Sequence, residues 1–152
     1  MIRYRAMAAA DVPVLRAMLQ ALSDQDGGKA VASEAALLEG GFGARPLFQG
    51  LVAEEDGPLG VVVYYPSYST LRGEPGIYVQ DLFVLEAARG KGIGRGLLAA
   101  VMTAQDWGAK YLTLSVSPGN VAAKAFYDRA GFRAREYDFL IVDGAALEGL
   151  AR

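Results

Sequence analysis

The chain is 152 residues long, the length of one ordinary domain, and its 53% apolar content fits a packed core burying roughly 70% of the unfolded surface. It contains no cysteine and no histidine, which excludes disulfides, a thiol nucleophile and Ser-His-Asp catalysis, and removes the usual ligands of a zinc site. A formal net charge of −2 offers no basic face to a nucleic-acid duplex, and no apolar run approaches the roughly 20 residues of a membrane span.

Ile2 to Arg5 reads as a first strand, with no secretory signal in Met-Ile-Arg-Tyr-Arg. One domain over residues 1–152, in the cytoplasm, is the expectation. Asp11-Val-Pro13 opens a helix to about Leu22, the aspartate as N-cap and proline in the first turn. A loop over Ser23 to Gly28 precedes a second short helix from Ser33-Glu34, and Gly40 to Pro46 reads as irregular and mobile. Phe48–Glu54 and Leu59–Tyr65 are strands joined by the hairpin signal Glu55-Asp56-Gly57-Pro58. Tyr68 to Gly76 reads as a loop leading to a long strand, Ile77 to Leu85. Ile93, Leu97, Leu98, Val101 and Met102 then recur at helical spacing within Gly92–Trp107, which Gly108 stops. Tyr111–Val116 is another strand, Asn120 caps the last main helix, and Gly131 ends it. Two strands follow, near Arg133 and over Tyr137–Val142. The succession is that of an α/β (α+β) domain with a mixed, mostly antiparallel sheet of about six to seven strands and about four helices.

The stretch that carries chemistry is Arg89-Gly90-Lys91-Gly92-Ile93-Gly94. Glycines between strand and helix let backbone approach a ligand, and the first N–H groups of the helix have no partner within it. With the helix dipole and with Arg89, Lys91 and Arg95 nearby, such an end suits a phosphate or pyrophosphate. The glycines never give the dinucleotide fingerprint G-x-G-x-x-G, and no Gly-Lys-Ser or Gly-Lys-Thr of a P-loop occurs.

This R-x-x-G-x-G order resembles the acetyl-CoA-binding motif of the GNAT superfamily of N-acetyltransferases. A second segment, Asn120-Val-Ala-Ala-Lys-Ala-Phe-Tyr127-Asp-Arg-Ala-Gly131-Phe132, is similar to that family's Asn-led helix closed by Gly-Phe. The likeness runs from about Leu51 through Phe132 and, more loosely, back to Ile2–Arg5. Tyr65-Pro-Ser-Tyr68 and Ile77-Tyr-Val-Gln-Asp-Leu-Phe-Val84 resemble most the diamine (spermidine/spermine) branch.

The resemblance implies the GNAT fold, acetyl-CoA as cofactor, no metal, and transfer of acetyl to a primary amine of a small molecule. Transfer would be by direct attack in a ternary complex, since no cysteine can carry the acyl group. It assigns the pyrophosphate to backbone at Gly90, Lys91, Gly92, Ile93, Gly94 and Arg95, beside Arg89. Pantetheine falls to the backbone of Leu82, Phe83 and Val84, with Asn120 and Lys124 as further cofactor contacts. Tyr127 matches the general acid that protonates the leaving thiolate; a phenol with pKa near 10 is protonated at neutral pH. A homodimer follows from the branch. A peptide acceptor, or an acyl-CoA sensor with little catalysis, fits the same motifs.

One position departs from the branch. Where it has a glutamate base, this chain has Gln80, whose amide accepts no proton at neutral pH. Three accounts are open. Asp81 or another carboxylate takes the role, although Asp81 faces the other side of the strand unless a bulge intervenes. The acceptor is a less basic amine, or the proton leaves through ordered water with Gln80 as positioner. Gln80, Asp81 and Tyr65 are the acceptor-side candidates, with the aromatic faces of Tyr64 and Tyr68 near them.

Overall fold

The computed structural model describes residues 1–152. They divide into two compact units, Met1–Asn120 and Val121–Arg152.

The first unit is built on five strands in sequential order: β1 (Arg3–Ala6), β2 (Gln49–Glu54), β3 (Pro58–Ser69), β4 (Glu74–Val84) and β5 (Leu112–Thr113). β1 to β4 pair antiparallel, and β5 joins β4 in parallel. The helices are α1 (Val12–Gln25), α2 (Glu34–Phe42) and α3 (Ile93–Ala104). Ser33 caps α2, its hydroxyl accepting the Ala36 N–H at 3.1 Å. Asp11 holds the N-cap position of α1 but does not cap with its side chain. Its carboxylate instead accepts the Ala8 N–H and pairs with Arg5.

Register explains how the two sheet faces are covered. Arg5, Val52, Val61 and Phe83 form one row across four strands, and Tyr4, Ala53, Gly60 and Val84 form the next. Successive rows face opposite sides. On the first face Val52, Val61, Val63 and Phe83 pack against Met7 and the α1 residues Leu15, Met18 and Leu19. On the other, α3 lies close at Gly96, where a Cβ would overlap the Tyr4 hydroxyl; a Cβ on Gly60 would be stopped first by the Phe83 carbonyl at 2.8 Å. Ile93, Leu97, Leu98 and Val101 are buried there.

The hairpin at Glu55–Pro58 forms as its sequence signals, with Asp56 and Gly57 both at positive φ. The second hairpin is longer than its sequence signals. β3 runs on to Ser69 and β4 starts at Glu74, so most of the expected loop over Tyr68–Gly76 is paired strand. The α2 helix likewise extends to Phe42, into a stretch read as irregular.

The second unit holds α4 (Val121–Arg129) and α5 (Gly144–Leu150). Gly131 follows α4 at φ +98°, and the Phe132 N–H donates to the Tyr127 carbonyl, closing the helix as the Gly-Phe signal expects. Neither strand expected near Arg133 and over Tyr137–Val142 forms, so the sheet has five strands and not six to seven. Tyr137, Phe139, Ile141 and Val142 make that segment rich in strand formers, but the second unit contains no strand to pair with it. There are five α-helices where about four were expected; α5 lies beyond the last helical signal read from the sequence.

Candidate active site

At the end of β4 the chain makes one turn of 3-10 helix, Glu86–Ala88, and enters the glycine turn. Gly90 and Gly92 sit at φ +80° and +79°, the left-handed region that a side chain resists. Space is no constraint at either, because an added Cβ would meet nothing within 4 Å. Gly92 is the N-cap of α3, and the first amide donating back into the helix is Gly96, to the Gly92 carbonyl. The six amides of Gly90, Lys91, Gly92, Ile93, Gly94 and Arg95 donate to no acceptor in the chain. They form a run of unsatisfied donors at the positive end of a helix. Lys91 and Arg95 are exposed and form no ion pair. Arg89 is tied back, its Nε donating to the Val84 carbonyl at 3.0 Å and its guanidinium lying 5.5 Å from the Phe83 ring centre. Donor set and open space together fit a pyrophosphate.

The strand leading into this turn has an open edge. β5 pairs with β4 only at Ile77 and Tyr78, so beyond Tyr78 no strand lies along that side. The Leu85 N–H donates to the Leu59 carbonyl at 2.8 Å. In an antiparallel ladder alternate residues bond to one neighbour, so Phe83 also turns its backbone toward β3. Leu82 and Val84 turn theirs to the open edge. Of the three expected pantetheine contacts, Leu82 and the Val84 N–H therefore face the open edge; the Val84 carbonyl is taken by Arg89, and Phe83 has its side chain in the core.

A bulge interrupts β4 at the departure from the branch pattern. Val63 stands opposite Asp81 and Tyr64 opposite Val79, leaving Gln80 as the extra residue. Asp81 consequently shares the face of its partner Val63, and so of Tyr65, two residues on. The Tyr65 hydroxyl donates to Gln80 Oε1 at 3.0 Å. Its ring stacks on Tyr78, with centroids 5.3 Å apart. Burial, with Tyr78 and Asp81 close by, raises the Tyr65 phenol above its usual range. Burial also lifts the Asp81 carboxyl to about 6. Tyr65, Gln80 and Asp81 thus come together as one polar cluster.

Two residues near this cluster were not singled out in the sequence. Tyr78 completes the aromatic stack and its hydroxyl bonds Ser115 Oγ at 2.9 Å. Tyr78 could have been found, since it precedes Gln80 by two on the same strand; nothing local marks Ser115. Conversely, Tyr64 is buried on the opposite face, 6.4 Å from Trp107, and Tyr68 is exposed. In the second unit Lys124 is exposed on α4, and Tyr127 lies between the rings of Phe126 and Phe132, at 5.2 and 5.3 Å. Asn120 is the last residue of the first unit, its N–H donating to the Ser117 carbonyl.

The model of the acetyltransferase (GNAT) family matches residues 15–132. A thialysine N-ε-acetyltransferase of Bos taurus is 38% identical over 109 residues, covering 65% of this chain and 64% of that protein. The L-ornithine N5-acetyltransferase NATA1 of Arabidopsis thaliana is 32% identical over 93 residues, covering 60% of this chain and 41% of its own. The matched stretch spans less than two thirds of the length of either relative. Among solved structures, an integron cassette protein from the mobile metagenome of V. cholerae superposes with a TM-score of 0.80 at 25% identity, covering 99% of this chain and 98% of that one.

Proposed function

The chain belongs to the GNAT family of acetyltransferases, and from that premise we propose that it transfers acetyl from acetyl-CoA to a primary amine of a small molecule. The observation that carries this reading is the run of six unpaired amides, Gly90 to Arg95, at the end of a strand with an open edge. Hydrogen bonds to charged groups contribute about 1.5–3 kcal/mol each, so several together anchor a pyrophosphate after ordering costs. When bound, acetyl-CoA supplies an activated thioester. The backbone of Leu82 and Val84 would align its pantetheine arm as an added strand does, and Asn120 and Lys124 are proposed as further contacts.

The acceptor side is assigned to Tyr65, Gln80 and Asp81. A stacked tyrosine pair beside a carboxylate attracts an ammonium group, each aromatic face contributing about 0.5–2 kcal/mol. The thialysine and ornithine enzymes are named for acceptors with a side-chain amine, which favours a diamine or an amino acid of that kind. An alkylammonium of pKa near 10.4 is free base to only about one part in a thousand at pH 7.4, so its deprotonation costs about 4 kcal/mol unless the site assists. Tyr127 is proposed as the acid that protonates the departing sulfur, on the strength of the Asn120–Phe132 motif.

The family match crosses both structural units, which supports one functional domain over 1–152. No helix is long and apolar enough to cross a membrane. A cytoplasmic homodimer acting on a free amine, with no nucleic-acid or membrane partner, is the proposed setting.

Coenzyme A release across an acceptor panel tests the reading: spermidine, short diamines, ornithine, lysine-like amino acids, amino sugars and short peptides. Saturable turnover with one class is expected, and Tyr127→Phe should lower kcat by roughly 10²-fold or more with coenzyme A affinity retained. Tight coenzyme A binding without turnover of any amine would leave a sensing module.

A further inference from the structure

We propose that Asp81 is the residue that takes the proton from the acceptor ammonium. This rests on the amine-acetyltransferase reading and assigns a role that the motifs leave open.

In an unbroken strand Gln80 and Asp81 would face opposite sides. The bulge removes that separation. With Gln80 inserted, Asp81 stands opposite Val63 and lies in the row that continues to Tyr65. Both side chains then serve one face: the Gln80 amide oxygen is engaged by the Tyr65 hydroxyl, and the Asp81 carboxylate lies near enough to Tyr65 to raise its phenol. Gln80 is an amide and accepts no proton at neutral pH, and a tyrosine hydroxyl already carries its own. The other acid of β3 and β4, Glu74, stands opposite Ser69 at the far end of the hairpin. Asp81 is therefore the base that the sheet itself supplies beside the aromatic pair.

The surroundings suit the task. The face is closed on one side by α1, which turns Leu15, Met18 and Leu19 to the core. The charged residues of α1 point elsewhere, Arg16 to the Ala32 carbonyl and Asp24 to Gln20. From β3 and β4 the titratable neighbours are Tyr65 and Tyr78. Burial lifts Asp81 to about 6, so at neutral pH it is ionised yet a better proton acceptor than an exposed aspartate.

The step balances as follows. The ammonium nitrogen gives one proton to Asp81. The freed lone pair attacks the thioester carbonyl carbon, forming the C–N bond, and the C–S bond breaks. The nitrogen loses its second proton to solvent as the amide forms, and the sulfur gains one from its acid, Tyr127 in the reading above. Asp81 returns its proton to solvent, and Tyr127 regains one from it, so the net yield is amide, thiol and one released proton.

The test is the pH profile of kcat/KM with the basic diamine 1,4-diaminobutane, or with the panel amine of highest turnover if that differs, for wild type, Asp81→Asn and Asp81→Glu. Wild type should level off between about pH 6 and the amine's own pKa near 10. Asp81→Asn should rise tenfold per pH unit over that range. The two should differ by roughly 10²–10³-fold at pH 7 and converge to within tenfold by pH 10. Asp81→Glu should keep the plateau at a lower height. Coenzyme A affinity of Asp81→Asn, measured by calorimetry, should stay within threefold of wild type. A loss of equal size at every pH would make Asp81 a structural residue, and a variant with wild-type rates would remove it from the reaction; either overturns the inference alone. A folded wild-type chain that binds coenzyme A but turns over no amine overturns the function reading, and this inference with it.

Discussion

Asp81 on β4 and Asp11 at the start of α1 are carboxylates shifted in opposite directions, and stability should register both. Arg5 donates two hydrogen bonds to Asp11 and one to Glu54, while Arg3 also engages Glu54. These partners hold both carboxyls below their usual range. Their contribution is present above the unfolded pKa near 4 and is lost as pH falls through the folded values. Asp81 has a folded pKa of about 6, above the unfolded value near 4. The native state therefore binds its proton more tightly, and ionising it costs stability as pH rises through that window. Asp81→Asn should then be more stable than wild type at pH 8, by at most about 3 kcal/mol for a shift of two units. The gain should shrink through pH 6 to 4 and vanish below. Urea melts at pH 4, 6 and 8 measure it; a difference independent of pH would mean that Asp81 is not desolvated. The readout needs no substrate, and a variant both more stable and less active marks a residue kept for chemistry.

Among the elements, α3 carries the glycine turn, and its position depends on Gly96. An added Cβ there would lie 1.9 Å from the Tyr4 hydroxyl oxygen and 2.4 Å from Cζ. Gly96→Ala gains helix propensity but must displace the Tyr4 side chain or α3, an overpacking cost of about 1–3 kcal/mol. We expect net destabilisation, with coenzyme A affinity weakened because the amides of Ile93 to Arg95 move with the helix. Tyr4→Phe should recover part of the loss in the double variant, so a non-additive cycle in thermal and coenzyme A titrations is the measurement. Strict additivity would mean that the two groups do not meet. The approach of α3 to β1 was not legible, since Tyr4 and Gly96 are distant in sequence and either reads as ordinary alone. The turn was legible, because positive φ at Gly90 and Gly92 is a local demand that glycine meets. The bulge at Gln80 fell between: nothing in the sequence marks an inserted residue, and only pairing with β3 reveals which residue is extra. The sequence therefore named Gln80 and Tyr65, which a hydrogen bond joins, but left the face of Asp81 open.

At the scale of the whole molecule, the second unit exposes more apolar surface than its own helices cover. Phe139, Leu140 and Ile141 are 77%, 91% and 86% exposed, and Tyr137, Leu147 and Leu150 are exposed beside them in sequence. Such a cluster is unusual on a chain that acts alone. The strand signal over Tyr137–Val142 was legible because its run of aromatic and β-branched residues is local. Its partner was not, because a strand forms only where another offers a ladder, and all five strands belong to the first unit. The proposed homodimer gives this segment a use: a second copy would cover its apolar side chains. Wild-type protein at tens of micromolar should then sediment as a dimer, and Ile141→Lys with Phe139→Asp should shift it to monomer. Both changes fall on exposed side chains, so the melting transition of the first unit, followed through Trp107, should hold its midpoint within a few degrees at matched concentration. A wild-type monomer across that range would sink the dimer, and the exposed segment would then stand without a partner from its own kind.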